Sequence, residues 1–313
     1  MLHTACMNDL IIIGGGPAGV AAGVYAARKR LKTVLVAEEI GGQSTVSDNI
    51  ENWIGKTGIS GADLAKSFQT HLEALKGDNV TLALGERVVS LEKSAEGFAI
   101  KTRTGKEYFS KAVLVASGAS RRKLAIPGAE KFENKGVTYC ASCDGPLFAD
   151  QDVAVIGGGN AGFETALQLL AYAKSVTLIH RHKEFKADPV TVEKASMHPN
   201  IRVIRHAEPT EVTGEQFVTG LTYTDKDSGE TKDIAVTGIF VEAGVIPNTD
   251  FAEGIVELDA IKRVKVDPRT QRTNIDGLWA AGDCTDELYH QNNIAAGDGV
   301  KALEDIYLWI KKQ

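Results

Sequence analysis

The sequence predicts an α/β protein made of two Rossmann-like, three-layer ββα dinucleotide-binding domains, the second inserted into the first. Three observations lead there. Asp9-Leu-Ile-Ile-Ile-Gly-Gly-Gly-Pro-Ala-Gly19 lies without a gap over Asp152-Val-Ala-Val-Ile-Gly-Gly-Gly-Asn-Ala-Gly162, so the chain holds two copies of one unit. Each copy runs from a β-branched strand through G-x-G-x-x-G into an Ala-rich helical stretch and a second apolar strand, Thr33 to Val36 and Val176 to Ile179. Near the far end of the chain, Gly277-Leu-Trp-Ala-Ala-Gly-Asp283 reads as an apolar strand that completes the first copy.

In chain order, the glycines come first, because they let backbone approach a pyrophosphate resting on a helix N-terminus. Candidate cofactor-binding residues are Gly14, Gly16, Pro17, Ala18 and Gly19 in the first copy, and Gly157, Gly159, Asn160, Ala161, Gly162 and Glu164 in the second. The residues just past each second strand meet the adenosine ribose and separate the two ligands. Ala37-Glu38-Glu39 offers carboxylates to free ribose hydroxyls, which suits FAD, with Glu38 as acceptor. His180-Arg181-His182, with Lys186 beyond, suits a ribose 2′-phosphate through charge-assisted hydrogen bonds and hence NADPH, with NADH as the alternative. A solvated basic loop is the plain reading of the same residues. Towards the C-terminus, Gly282-Asp283 brings a carboxylate to a phosphate or ribityl hydroxyl, and Gln291 opens a turn into a helix that runs to about Trp309.

The crossings between domains fall in Ser117 to Pro127 and Gly244 to Thr249, both rich in small residues. They assign residues 1–117 and 248–313 to the FAD-binding domain and 118–247 to the NAD(P)H-binding domain. Alternating segments between Asp78 and Lys111, Val80-Thr-Leu-Ala-Leu84 and Phe98-Ala-Ile-Lys-Thr102, predict a small antiparallel sheet on the first domain, and Glu211 to Phe240 predicts its counterpart on the second.

Bulk properties narrow the function classes. At 313 residues the chain has room for two cores. With 35 basic against 41 acidic residues and a net charge of -6, it has no electrostatic reason to bind nucleic acid. The apolar stretch Leu10 to Ala27 is broken by five glycines and a proline and has no cationic leader, unlike a signal peptide or a membrane span. A cytoplasmic protein without a membrane partner is the expectation.

Four cysteines are present and only Cys140 and Cys143 are close in sequence, which fits a reducing compartment with one special pair. Their spacing permits a disulfide across one helical turn, a helix N-terminus lowers thiol pKa, and Asp144 is placed to hand protons over. A zinc site needs two further ligands, and neither a second pair nor a nearby His cluster accompanies these, so no metal is expected. Cys6 reads as a bystander and Cys284 as a small core residue.

With these motifs together, the chain resembles low-molecular-weight thioredoxin reductases and, at least as closely, the reductase core of the flavoprotein component of alkyl hydroperoxide reductase. The resemblance runs from Asn8 onward and rests on Gly14 to Gly19, Gly41-Gly42-Gln43, Glu51-Asn52, Cys140 to Gly145, Gly157 to Gly162, Pro247-Asn248-Thr249 and Ala280 to Asp283. It implies a tightly held FAD contacted at Gly14, Gly16, Gly19, Gly41, Gly42, Gln43, Asn52, Asp283 and Gln291, and a homodimer. It further implies that hydride passes from nicotinamide to FAD, that Cys143 faces the flavin, that Cys140 exchanges with the partner disulfide, that Asp144 is the acid, and that the inserted domain rotates between half-reactions. Two departures bear on the donor. NADPH-using thioredoxin reductases show His-Arg-Arg with a later Arg, where this chain has His180-Arg181-His182 and Lys186, and the peroxide-reductase relatives carry Glu where His180 stands. Those relatives also carry thioredoxin-like folds ahead of the core, whereas seven residues precede Asn8, so a separate thioredoxin or glutaredoxin-like protein is the expected acceptor. Competing readings are a thiol oxidase, a ferredoxin-dependent reductase and a non-catalytic redox sensor.

Overall fold

The computed structural model describes residues 7–47, 50–185 and 187–313. The chain divides into two compact units, one ending at Ser120 and resuming over Ile246–Gln313, the other Arg121–Val245.

The first unit opens with β1 (Asn8–Ile13), α1 (Pro17–Arg28), β2 (Thr33–Ala37), α2 (Gly61–Leu75) and β3 (Val80–Leu84), followed by β4 (Val88–Ser94), β5 (Gly97–Thr102) and β6 (Glu107–Val115). A short β7 (Ala119–Arg121) leads into the second unit: β8 (Val137–Thr138), α3 (Ala141–Asp144), β9 (Asp152–Ile156), α4 (Asn160–Leu169), β10 (Ser175–Ile179), α5 (Pro189–Ser196), β11 (Ile201–Ile204), β12 (Ala207–Gly214), β13 (Val218–Asp225), β14 (Thr231–Ala235) and β15 (Gly238–Val241). β16 (Val245–Pro247) returns the chain to the first unit, which β17 (Leu278–Ala280) and α6 (Asn292–Ile310) complete.

β1 and β2 are apolar on both faces because both faces are covered, as a parallel strand between layers requires. Leu10 and Ile12 point to one side with Leu35 and Leu114, against α1, α2 and α6. Ile11 and Ile13 point to the other with Val34, Val36 and Val113, against β4, β5 and the segment around Val256 and Val264. That alternation makes the three layers. Strand order is β3-β2-β1-β6-β5-β4, with β17 also on β6. The nine-residue β6 pairs antiparallel with β5 through its first half and parallel with β17 through Val113 to Val115. The second unit repeats the plan in a parallel sheet ordered β11-β10-β9-β15-β8, with an antiparallel β12-β13-β14 layer. The expected pair of Rossmann-like domains is therefore present.

Two strand expectations need correction. Val80–Leu84 does not join an antiparallel sheet; as β3 it pairs parallel with β2, Thr33 opposite Val80, at the end of the crossover that α2 makes. As an edge strand it is only partly buried, so its alternation imitates a solvent-facing hairpin. Likewise Gly238–Val241 leaves the antiparallel layer and runs parallel beside β9, buried throughout. Among the described residues no helix is long and apolar enough to cross a membrane.

Candidate functional site: a cofactor cleft, a second cradle and a disulfide

Pro17 starts α1 at a position where its missing N–H costs nothing, and Gly16 before it supplies no capping side chain. The N–H groups of the first turn therefore open onto a cleft of about 550 Å³ at the carboxyl ends of β1, β2 and β6. Of the candidate cofactor residues of the first unit, Gly14, Gly16, Pro17, Ala18, Glu38, Gly42, Gln43, Gly282 and Asp283 line it, and Gly19, Gly41, Asn52 and Gln291 do not.

The turn leaves room for a ligand's diphosphate against the backbone. A Cβ on Gly14 would lie 2.1 Å from the Ala116 carbonyl oxygen, and one on Gly19 would lie 2.0 Å from the Gly14 carbonyl oxygen, so both glycines serve backbone packing of the turn. Gly16 has nothing within 4 Å of its Cβ direction, leaving room for a group pressed on the backbone. Ser117 lines the same cleft at the carboxyl end of β6.

Glu38 holds its two carboxylate oxygens towards Arg87 Nη1 (3.3 Å) and Arg103 Nη2 (2.9 Å), which orients it at the rim. Below it, Glu86 is buried; Lys106 and the hydroxyls of Thr104 and Thr102 hold its carboxyl down at about 2. Asn52 and Gln291 lie together, the Asn52 amide donating to Gln291 Oε1 at 3.3 Å. Gly41 adopts a positive φ and packs against Ala65. Cys284 is wholly buried, and burial pushes its thiol up to about 11. Cys6 lies outside the described residues.

Sequence reasoning missed Ser44, Ser117 and Asn292 as cleft residues. Ser44 donates to Asn292 Oδ1 at 3.0 Å, joining two distant segments, and Asn248 donates to the Ser117 carbonyl at 3.0 Å. Their available signal was position: Ser117 follows the carboxyl end of β6, where open α/β sheets place ligands.

The second cradle repeats the turn. Gly162 stands 2.0 Å from the Gly157 carbonyl by the same Cβ test, and Gly159 precedes α4 with open space beside it. Asn160 accepts the Asp188 amide at 2.7 Å, tying the loop after β10 to α4, while Ala161 and Glu164 are exposed. Beside Gly157, Glu242 accepts the Thr165 hydroxyl at 2.8 Å, and burial raises its carboxyl above the ordinary range. The predicted basic triplet splits. His180 is buried against Gly158, its Nε2 at 3.0 Å from the Glu184 carbonyl, whereas Arg181 and His182 are exposed and hydrogen-bonded to each other at 3.1 Å. Lys186 lies outside the described residues.

Cys140 and Cys143 form a disulfide with Cα atoms 5.3 Å apart. Cys140 caps α3, its sulfur accepting the Cys143 N–H at 3.2 Å, so a thiolate there keeps a ready donor. The Asp144 N–H donates to the Cys140 carbonyl at 3.0 Å, and the Asp144 carboxylate accepts the Thr138 hydroxyl. Two-electron exchange at a protein disulfide, with a carboxylate one residue from the sulfur, is the chemistry this arrangement supports.

Comparison with known proteins agrees with that chemistry. Residues 8–299 match the family described as pyridine nucleotide-disulphide oxidoreductase. A Bacillus subtilis protein named NADH dehydrogenase is 42% identical over 294 residues, covering 94% of this chain and 57% of that protein. A Staphylococcus epidermidis protein named as a component of alkyl hydroperoxide reductase is 40% identical over 302 residues, covering 96% and 59%. The chain thus spans less than two thirds of the length of these two relatives. The crystal structure of thioredoxin reductase from Streptococcus pyogenes superposes with a TM-score of 0.89 at 32% identity, covering 98% of this chain and 99% of that one.

Proposed function

The chain belongs to the pyridine nucleotide-disulphide oxidoreductase family, whose members use FAD and a pyridine nucleotide, and on that premise we propose that it is an NADPH-dependent reductase of a thioredoxin-like protein disulfide. The observation that carries the proposal is the Cys140–Cys143 disulfide at the start of α3, immediately ahead of the strand that opens the second cradle.

In this reading Gly14 to Gly19 hold the diphosphate of FAD at the α1 N-terminus, Glu38 takes the adenosine ribose, and Asp283 meets the phosphate or ribityl chain. Bound FAD supplies two-electron chemistry between nicotinamide and disulfide. Gly157 to Gly162 hold the nucleotide donor, and exposed Arg181 favours a 2′-phosphate through charge-assisted hydrogen bonds. Cys143 faces the flavin, and Cys140 leaves as the thiolate that attacks the external protein disulfide. Asp144 takes and returns the one proton that distinguishes a thiol–thiolate pair from two thiolates.

A second reading is favoured by the names of the relatives: an NADH-dependent reductase that feeds a peroxiredoxin through a small adaptor. Anaerobic titration with NADPH and NADH in parallel, following the flavin band, separates the two, and addition of a bacterial thioredoxin then identifies the acceptor. Preferential bleaching by NADPH followed by thioredoxin-dependent recovery is the expected result. Undiminished thioredoxin reduction by Cys140→Ser or Cys143→Ser would overturn the proposal.

A further inference from the structure

We propose that Thr138 is a positioning residue for the proton transfer, setting the rotation of the Asp144 carboxylate against the Cys140–Cys143 pair; this rests on the assignment of Asp144 as the proton-handling group. The geometry makes Thr138 the rigid member of the couple. It is buried, and its strand is held from the side by β15, Phe240 opposite Thr138 and Ile239 opposite Val137. Its hydroxyl donates to Asp144 Oδ2. The turn that carries Asp144 is fixed independently: the Asp144 N–H bonds the Cys140 carbonyl, and Gln168 of α4 donates to the Ser142 hydroxyl at 2.8 Å. Backbone and side chain of Asp144 are therefore anchored to different elements, and the Thr138 hydroxyl ties the carboxylate's rotation to the sheet.

Among the described residues, other ionisable groups around α3 are engaged or placed elsewhere. α4 contributes the exposed Glu164, and Tyr172 packs its ring against Gly145. Tyr139 gives its hydroxyl to Glu133, which also holds Lys123, and burial with that carboxylate pushes the phenol up to about 12.

In the reduced protein, the Cys140 thiolate attacks an external disulfide and one thiolate leaves. Cys143 then gives its thiol proton to the Asp144 carboxylate and closes on the Cys140 sulfur, and the second thiolate leaves. Two electrons pass to the external disulfide and one proton rests on Asp144. A hydroxyl donating to the ionised carboxylate favours that form, so its loss raises the pH at which Asp144 can accept the proton.

The test uses the FAD-loaded protein, reduced under anaerobic conditions and mixed with a small aromatic disulfide in a stopped-flow instrument across pH. Asp144→Asn is expected to slow internal closure about 100-fold and to abolish one limb of the pH profile. Thr138→Val should slow it about tenfold and move that same limb to higher pH. Thr138→Ser should regain both rate and profile. An unmoved limb in Thr138→Val, or a Thr138→Ser that behaves like Val, overturns the role of Thr138 while leaving Asp144 in place. An Asp144→Asn protein with wild-type closure removes the assignment beneath it and the inference together. Loss of flavin or of cooperative unfolding in the Val variant is read against Thr138→Ala, which keeps the same predicted limb shift without a branched side chain.

Discussion

The two nucleotide cradles use one turn and differ in what closes it. Both place a glycine carbonyl 2.0 Å from the Cβ direction of the third fingerprint glycine, Gly19 or Gly162, and both leave the middle glycine, Gly16 or Gly159, open. At the end of the second strand they part. Glu38 stands at the rim between Arg87 and Arg103, a carboxylate with its charge compensated from behind. In the other cradle His180 turns inward against Gly158, and the exposed charge passes to Arg181 and His182. In the proposed function the turn takes the diphosphate, and the first residues beyond the strand choose the nucleotide.

Filling either turn should have the largest effect. Gly19→Ala should weaken FAD retention on the order of 100-fold, ~3 kcal/mol, and Gly162→Ala should do the same to pyridine nucleotide while the protein stays yellow. Equal loss of flavin in both variants would show that the cradles are not independent; absorbance of the purified proteins and equilibrium dialysis decide it. Next in size, Arg181→Ala should raise the KM for NADPH about tenfold or more and leave NADH unchanged, since a charge-assisted hydrogen bond contributes roughly 1.5–3 kcal/mol. A parallel rise for both donors would remove Arg181 from specificity. Glu38→Gln should cost FAD binding several-fold, about 1 kcal/mol, because the amide keeps an acceptor but loses the charge. Arg103→Ala should cost less, being a largely exposed ion-pair partner.

The smallest effect concerns acid. Glu86 has its carboxyl depressed from 4.5 to about 2 by Lys106, Thr104 and Thr102, so its contribution to stability is present above the unfolded value and is lost as pH falls from 4.5 through about 2. Urea unfolding of Glu86→Gln should thus show less stability than the parent at neutral pH and converge with it in acid. Parallel curves across that window would assign the difference to packing alone.

Much of this was legible beforehand for a physical reason. Glycines at a tight turn, an apolar run buried on both faces, and two cysteines three residues apart are short-range constraints, and short-range constraints are written in adjacent letters. Val80–Leu84 was misread because half-burial at a sheet edge and half-burial in a hairpin leave the same alternation. Ser117 was missed because a serine after a strand carries no distinctive spacing; its place in the cleft is visible only once β6 is formed.

By itself the sequence determined that there are two nucleotide cradles, where their turns lie, and that a thiol pair precedes the second. Tertiary structure decided how the side chains around them are held: the inward His180, the arginines on Glu38, and the threonine hydroxyl on Asp144. Those depend on segments up to 65 residues apart, as Arg103 and Glu38 are, meeting at one point. No local pattern encodes such a meeting, because the energy that produces it comes from burying the strands between them.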